Sequence, residues 1–220
     1  TFSIHYDGPI TFEHKVTVRV MARTYEHMQR AIDRAYLFNK YGNVWKHARL
    51  KAADYEFVDF IAEYPQEGGI ILDAVKGGQR AAAELIDRIG NAIAQPFEQA
   101  LNGEIEEAAH IAQEIADRRD YVDRMRHRTL EFNEMMVRPP EVWANRYSDR
   151  SILKEIDQIT FPLSSQRLDG STVEFSFQGT RLHPVYQFDG QIARNFHSIV
   201  SRRELGPAVI VNARIRDLDR

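Results

Sequence analysis

Between Val18 and Ala35 the apolar residues fall at Val18, Met21, Tyr25, Met28, Ile32 and Ala35, alternately three and four residues apart. Only an α-helix gathers such positions into one stripe. A helix with one apolar stripe owes its stability to whatever covers that stripe. The chain must therefore supply a second layer. Thr17 is placed to cap this helix at its start, and Gly42 can take the left-handed conformation that ends it.

The covering layer is sought in segments with a period of two. Phe2 to Tyr6 alternates and predicts a strand, broken by Asp7-Gly8-Pro9. Ile10 to Val16 is a second extended piece that can pair with the first. Val58 to Tyr64 and Ile70 to Val75 flank a Gly-rich turn and predict a hairpin. A second long helix is expected from Gln79 to Leu101, with Pro96 kinking or splitting it and Asn102-Gly103 stopping it. A third should run from Glu104 to about Val137, antiparallel to the second, until Arg138-Pro139-Pro140. Ser148-Asp149 can cap a short helix to Asp157. Beyond it Val173–Phe177 and Val209–Ile215 alternate, and Asp169-Gly170, Gln178-Gly179 and Asp189-Gly190 read as turns between strands. The expected fold is α+β: a small N-terminal sheet on long antiparallel helices over residues 1–147, then a β-rich module over 148–220. That module ends just after its last predicted strand, as an incomplete barrel would.

Composition excludes several chemistries. With no cysteine among 220 residues there is no thiol nucleophile, disulfide or Cys-ligated metal. The net charge of -3 and pI of about 6.2 do not suit a general nucleic-acid coat. No apolar run is long enough to span a bilayer, and the N-terminus has no basic-then-apolar signal. A reducing, cytoplasmic setting is expected.

Candidate sites are few. Lys76, Gly77, Gly78 and Arg80 lie between a predicted strand and a predicted helix. Free amides there, with two cations, can hold a phosphate; a plain flexible turn has the same signature. Arg119 and Arg126 sit on the apolar seam of the third helix, and Arg128 follows them. They form an interaction or nucleic-acid face unless the neighbouring Asp120 and Asp123 neutralise them. Glu107, His110 and Glu114 share a helix face like half a di-iron site, but a second Glu-x-x-His is absent from the sequence, so no metal or cofactor is called for. The eight histidines show no ligand or catalytic spacing and are read as surface or core residues. Met135, Met136, Trp143 and Tyr147 cluster at the Pro139-Pro140 break, as core or as a partner surface.

Tyr6-Asp7-Gly8-Pro9, followed by a long helix and then Glu67-Gly68-Gly69-Ile70, resembles an uncharacterised family of bacterial and phage or mobile-element proteins. The similarity covers roughly the first half of the chain. It implies a prokaryotic, intracellular setting tied to phage or defence, and it brings no catalytic residues with it.

The residues by themselves predict a non-catalytic interaction or ligand-binding protein that self-assembles, or binds a protein partner, through its long helices. The alternatives are a nucleotide or phosphate binder at Lys76–Arg80 and a nucleic-acid binder at Arg118–Arg128.

Overall fold

The structure, a computed structural model, describes residues 2–13, 15–42, 48–62, 69–73, 79–103, 129–130, 141–177, 183–202 and 210–211. The chain divides into two compact units. The first comprises residues 1–105 and 144–202, the second 106–143 and 203–220.

In the first unit the N-terminal alternation becomes strand β1 (Phe2–Asp7), with Phe2, Ile4 and Tyr6 buried and His5 and Asp7 exposed. Short strands β2 (Thr11–Phe12) and β3 (Lys15–Val16) pair with each other rather than with β1, because the Gly8 turn sends the chain away from the sheet. Helix α1 (Val18–Tyr41) follows, capped by the Thr17 hydroxyl and ended by Gly42 at φ 65°. After α2 (Tyr55–Val58) come β4 (Ile61–Ala62) and β5 (Gly69–Asp73), an antiparallel pair in which β4 is shorter than the sequence pattern suggests. Helix α3 (Gln79–Asn102) includes Pro96 without being divided. Helix α4 (Glu141–Thr160), β7 (Thr172–Phe177), β8 (Val185–Phe188) and α5 (Gly190–Ser201) complete the unit. In the second unit β6 (Thr129–Leu130) runs parallel to β9 (Ile210–Val211).

One antiparallel sheet has the order β4-β5-β1-β7-β8. Register puts Phe2 beside Phe177, Ile4 beside Phe175, and Tyr6 beside Val173; Phe175 and Val173 in turn lie beside Tyr186 and Phe188. These residues form one buried face. Against it pack Met28, Ala31 and Ile32 of α1, Leu85, Ile89 and Ile93 of α3, Ile152 and Ile156 of α4, and Phe196 of α5. The rings interlock: Phe188 meets Phe97, Phe175 and Phe196 edge-on at 5.0, 5.7 and 5.2 Å. The fold is thus α+β, with its helices on the sheet's apolar face.

Four expectations are corrected. Among the described residues of 148–220 a β-rich module is not supported: β7 and β8 join β1 in the first sheet, where the helices cover their Phe-rich face. Within the expected third helix Thr129–Leu130 is a strand, and the rest of that stretch up to Val137 lies outside the described residues. Ser148-Asp149 does not start a helix, as α4 begins at Glu141 and carries them inside it. Asp189-Gly190 likewise makes no hairpin. The Asp189 carboxylate accepts from the Ile192 amide at 2.7 Å and caps α5.

The Tyr-Asp-Gly-Pro turn has a structural account. Gly8 has φ 80°, and a Cβ there would lie 2.4 Å from the Gly170 carbonyl oxygen. The Ile10 amide donates to Ser171 Oγ at 2.9 Å, fastening the turn to the segment before β7. Buried Tyr6 donates to Thr24 Oγ1 at 2.5 Å, while that hydroxyl donates to the Val20 carbonyl. Burial pushes the Tyr6 phenol up to about 12. Near α2 the buried Asp54 carboxylate accepts from Lys40, the Lys51 amide and Tyr36. The Lys40 contact, first among these, holds its carboxyl below the usual range.

Candidate functional site

Helix α4 buries Ile152, Ile156 and Ile159 in the core. A 20-residue helix also has polar flanks, and on α4 both flanks meet histidines. On the flank toward α1, Glu155 Oε2 lies 2.7 Å from His27 Nδ1. Arg23 donates to Gln158 at 2.9 Å. As α1 advances from Arg23 to His27, α4 retreats from Gln158 to Glu155, so the two helices run antiparallel. The His27 and Glu155 side chains are 12% and 17% exposed.

On the other flank Asp157 meets His197 of α5. Nδ1 of His197 lies 2.9 and 3.1 Å from the two carboxylate oxygens. The Asp157 side chain is 6% exposed, that of His197 36%. Desolvation is the largest influence on Asp157 and moves its carboxyl above the usual range; His197 and then Arg23 oppose that shift. An ionised carboxylate can only accept, so Nδ1 carries a proton, and in the neutral ring the lone pair is then on Nε2. Among the described residues nothing bonds Nε2.

The 3-10 turn that ends α4, Phe161–Ser164, supplies the third component. The Phe161 ring lies over the His197 ring with centroids 4.0 Å apart and planes at 31°. Helix α5 starts against this turn. A Cβ on Gly190 would come within 2.9 Å of the Leu163 carbonyl oxygen, and Arg194 donates to the Ser164 carbonyl at 3.3 Å. Two helical turns beyond Gly190, His197 reaches Asp157. Two residues before it, Asn195 donates to the Ala100 carbonyl at 2.8 Å, so α5 also satisfies the C-terminal end of α3.

The corner can accept a hydrogen bond or a proton at Nε2 and offer an aromatic surface beside it. Neighbouring hydroxyls are already committed to backbone carbonyls. Ser164 donates to Phe161, Ser198 to Arg194, and Thr160 to Asp157. None is aligned on the imidazole as a nucleophile would be.

The sequence-predicted sites lie elsewhere. Lys76, Gly77 and Gly78 are outside the described residues; Arg80 falls in the first turn of α3, with its side chain outside them. Arg119, Arg126 and Arg128 are also outside, as are Glu107, His110, Glu114, Met135 and Met136, and the side chains of Trp143 and Tyr147. His197, Asp157 and Phe161 were missed. The available signal was helical: Ile192, Phe196 and Val200 recur at helix spacing behind the Asp189 cap, and that reading puts His197 on a helix. Nothing local links it to Asp157.

Among the described residues no group of three or more His, Asp or Glu is placed to hold a metal, and no helix is long and apolar enough to cross a membrane. Comparison of the chain with protein families, with curated proteins and with solved structures finds no match.

Proposed function

We propose that the chain is a ligand-binding protein that takes its ligand at the corner of His197, Asp157 and Phe161, and that it holds this ligand without transforming it. The observation that carries the reading is the anchored but accessible imidazole. A buried carboxylate fixes Nδ1, an aromatic ring covers one face, and Nε2 is left for a partner. A ligand suited to it presents a hydrogen-bond donor next to a flat apolar group. The hydroxyls committed to carbonyls support binding rather than nucleophilic chemistry.

The test is a nuclear magnetic resonance screen of aromatic amides, phenols and indoles against the full chain. Hits are expected to move the resonances of His197 and Phe161 and to be lost in His197→Ala and in Phe161→Ala. Hits that leave both residues unmoved, or that bind His197→Ala equally well, would remove the reading.

A second reading, association through the helices, is favoured by the start of α1. Val18, its first residue, and Phe12 of the preceding β2 are 82% and 74% exposed, the largest exposures among the described large apolar residues. Light scattering tests it. A mass above 25.5 kDa that falls to the monomer value in Phe12→Asp/Val18→Asp supports it. A monomeric wild type contradicts it.

A further inference from the structure

One stretch of the chain is basic and aromatic at once. Residues 34–53 hold Arg34, Lys40, Lys46, Arg49 and Lys51 and no Asp or Glu, with Tyr36, Phe38, Tyr41 and Trp45 among them. Extending the stretch to Asp59 adds three acids against these five cations, so it stays net positive in a chain of net charge -3. Residues 43–47 lie outside the described residues. The buried Asp54 draws the rest together. Its carboxylate accepts from Lys40, from the Tyr36 hydroxyl at 3.1 Å and from the Lys51 amide at 2.8 Å, which ties the last turns of α1 to the segment that enters α2. Tyr36 is stacked with Phe57 of α2, with centroids 6.0 Å apart and planes at 11°. Lys40 Nζ lies 5.5 Å from the Tyr36 ring centroid and 5.4 Å from that of Tyr41. Tyr55 opens α2 directly after Asp54. Tyr41, Tyr55 and Phe57 are 42%, 51% and 37% exposed. Arg49 and Lys51 are exposed as well, and among the described residues no ion pair engages either. Arg34 and Phe38 take no part: Arg34 buries Nη1, and the Phe38 ring lies against Arg88.

We propose that the end of α1 and the segment into α2 form a docking surface for single-stranded nucleic acid. A single strand presents bases with open faces, joined by phosphates. Tyr41, Tyr55 and Phe57 offer exposed rings on which bases can stack, and Arg49 and Lys51 offer charge to the phosphates between them. Lys40 is engaged by Asp54 and is not counted among these charges; its contacts fix Tyr36 and Tyr41 in place. A duplex keeps its base faces closed, and an acidic peptide brings charge without a regular series of flat rings. Neither uses both halves of the surface. Glu56 and Asp59 follow the basic stretch and are exposed, so charge alone is too weak to hold a polyanion here and the rings must share the work. The surface shares no residue with the His197 corner and does not rest on it.

The experiment follows the fluorescence anisotropy of a labelled thymidine oligomer of about 12 nucleotides, titrated with the full chain at several sodium chloride concentrations. Stacking and phosphate contact do not read the sugar, so this probe stands for DNA and RNA alike. Binding is expected, weakening log-linearly with salt. Arg49→Gln/Lys51→Gln should weaken it at least tenfold and flatten the salt slope by about 0.7 for each cation removed. Tyr41→Ala/Tyr55→Ala should weaken it at least tenfold and leave the slope unchanged. All four side chains are exposed, so both variants should keep the wild-type Tm. Should either melt lower, the single changes Lys51→Gln and Tyr55→Ala decide. No binding at low salt, or full affinity in either variant, overturns the proposal. So does equal affinity for a duplex of the same length, or for polyglutamate, the latter pointing to an acidic protein partner instead.

Discussion

Helix α4 anchors two histidines by the same device, and the two ends of the comparison behave differently. Glu155 grips Nδ1 of His27, and Asp157 grips Nδ1 of His197. The first pair is enclosed between α1 and α4, with its imidazole 12% exposed; the second lies at the edge of α5, with its imidazole 36% exposed and an aromatic ring against it. A carboxylate that fixes a tautomer is therefore not by itself the mark of a site. The same pair closes a helix interface when both members are enclosed, and leaves the imidazole partly open when it lies at a helix edge.

Substitutions should separate the two roles. His27→Ala leaves Glu155 enclosed without its partner, and a stability loss of about 2–3 kcal/mol is expected by urea unfolding. Gly190→Ala should disturb the second pair only. Its Cβ meets the Leu163 carbonyl, so α5 must shift from the turn that carries Phe161, at a cost of about 1–2 kcal/mol. Hydrogen exchange should then report loosening in α5 and not in α1. His197→Ala likewise leaves the 6%-exposed Asp157 without its partner, so a loss of about 2–3 kcal/mol is expected by urea unfolding, and here binding at the corner is lost with it. Corner binding that survives in His197→Ala, or that is lost in His27→Ala, would erase the distinction.

Asp157→Asn sharpens the comparison through pH. Burial raises the Asp157 carboxyl, so the folded state holds its proton more tightly than the unfolded chain. That contribution to stability is full below the ordinary carboxyl value of about 3.9 and is lost as pH rises through the folded value. Asp157→Asn lacks this loss. Its Tm relative to wild type should become more favourable from pH 4 to pH 7. The opposite trend would mean that His197 and Arg23 outweigh desolvation.

Much of the scaffold was legible because its signals are local. The stripe from Val18 to Ala35 and its Thr17 and Gly42 caps gave α1 to its ends. The alternation at Phe2–Tyr6 and Val173–Phe177 gave β1 and β7. Their adjacency was not legible, because 165 or more residues separate the paired positions and no local pattern encodes such a contact. The Asp189-Gly190 dipeptide suits a hairpin as well as a helix cap, and only the Ile192, Phe196 and Val200 spacing tells them apart. The candidate site was illegible for the same reason as the sheet order. His197 and Asp157 are 40 residues apart. Each looks ordinary until the helices bring it to its neighbour.

The most direct measurement is histidine-resolved carbethoxylation, read by mass spectrometry on the native chain. The acyl group adds at an accessible unprotonated ring nitrogen, here Nε2 of His197. His197 is expected to react at least tenfold faster than His27, and Asp157→Asn is expected to slow His197 while leaving the exposed His5 unchanged. Equal rates at His197 and His27, or a rate at His197 indifferent to Asp157, would contradict the claim that an anchored and accessible imidazole defines this site.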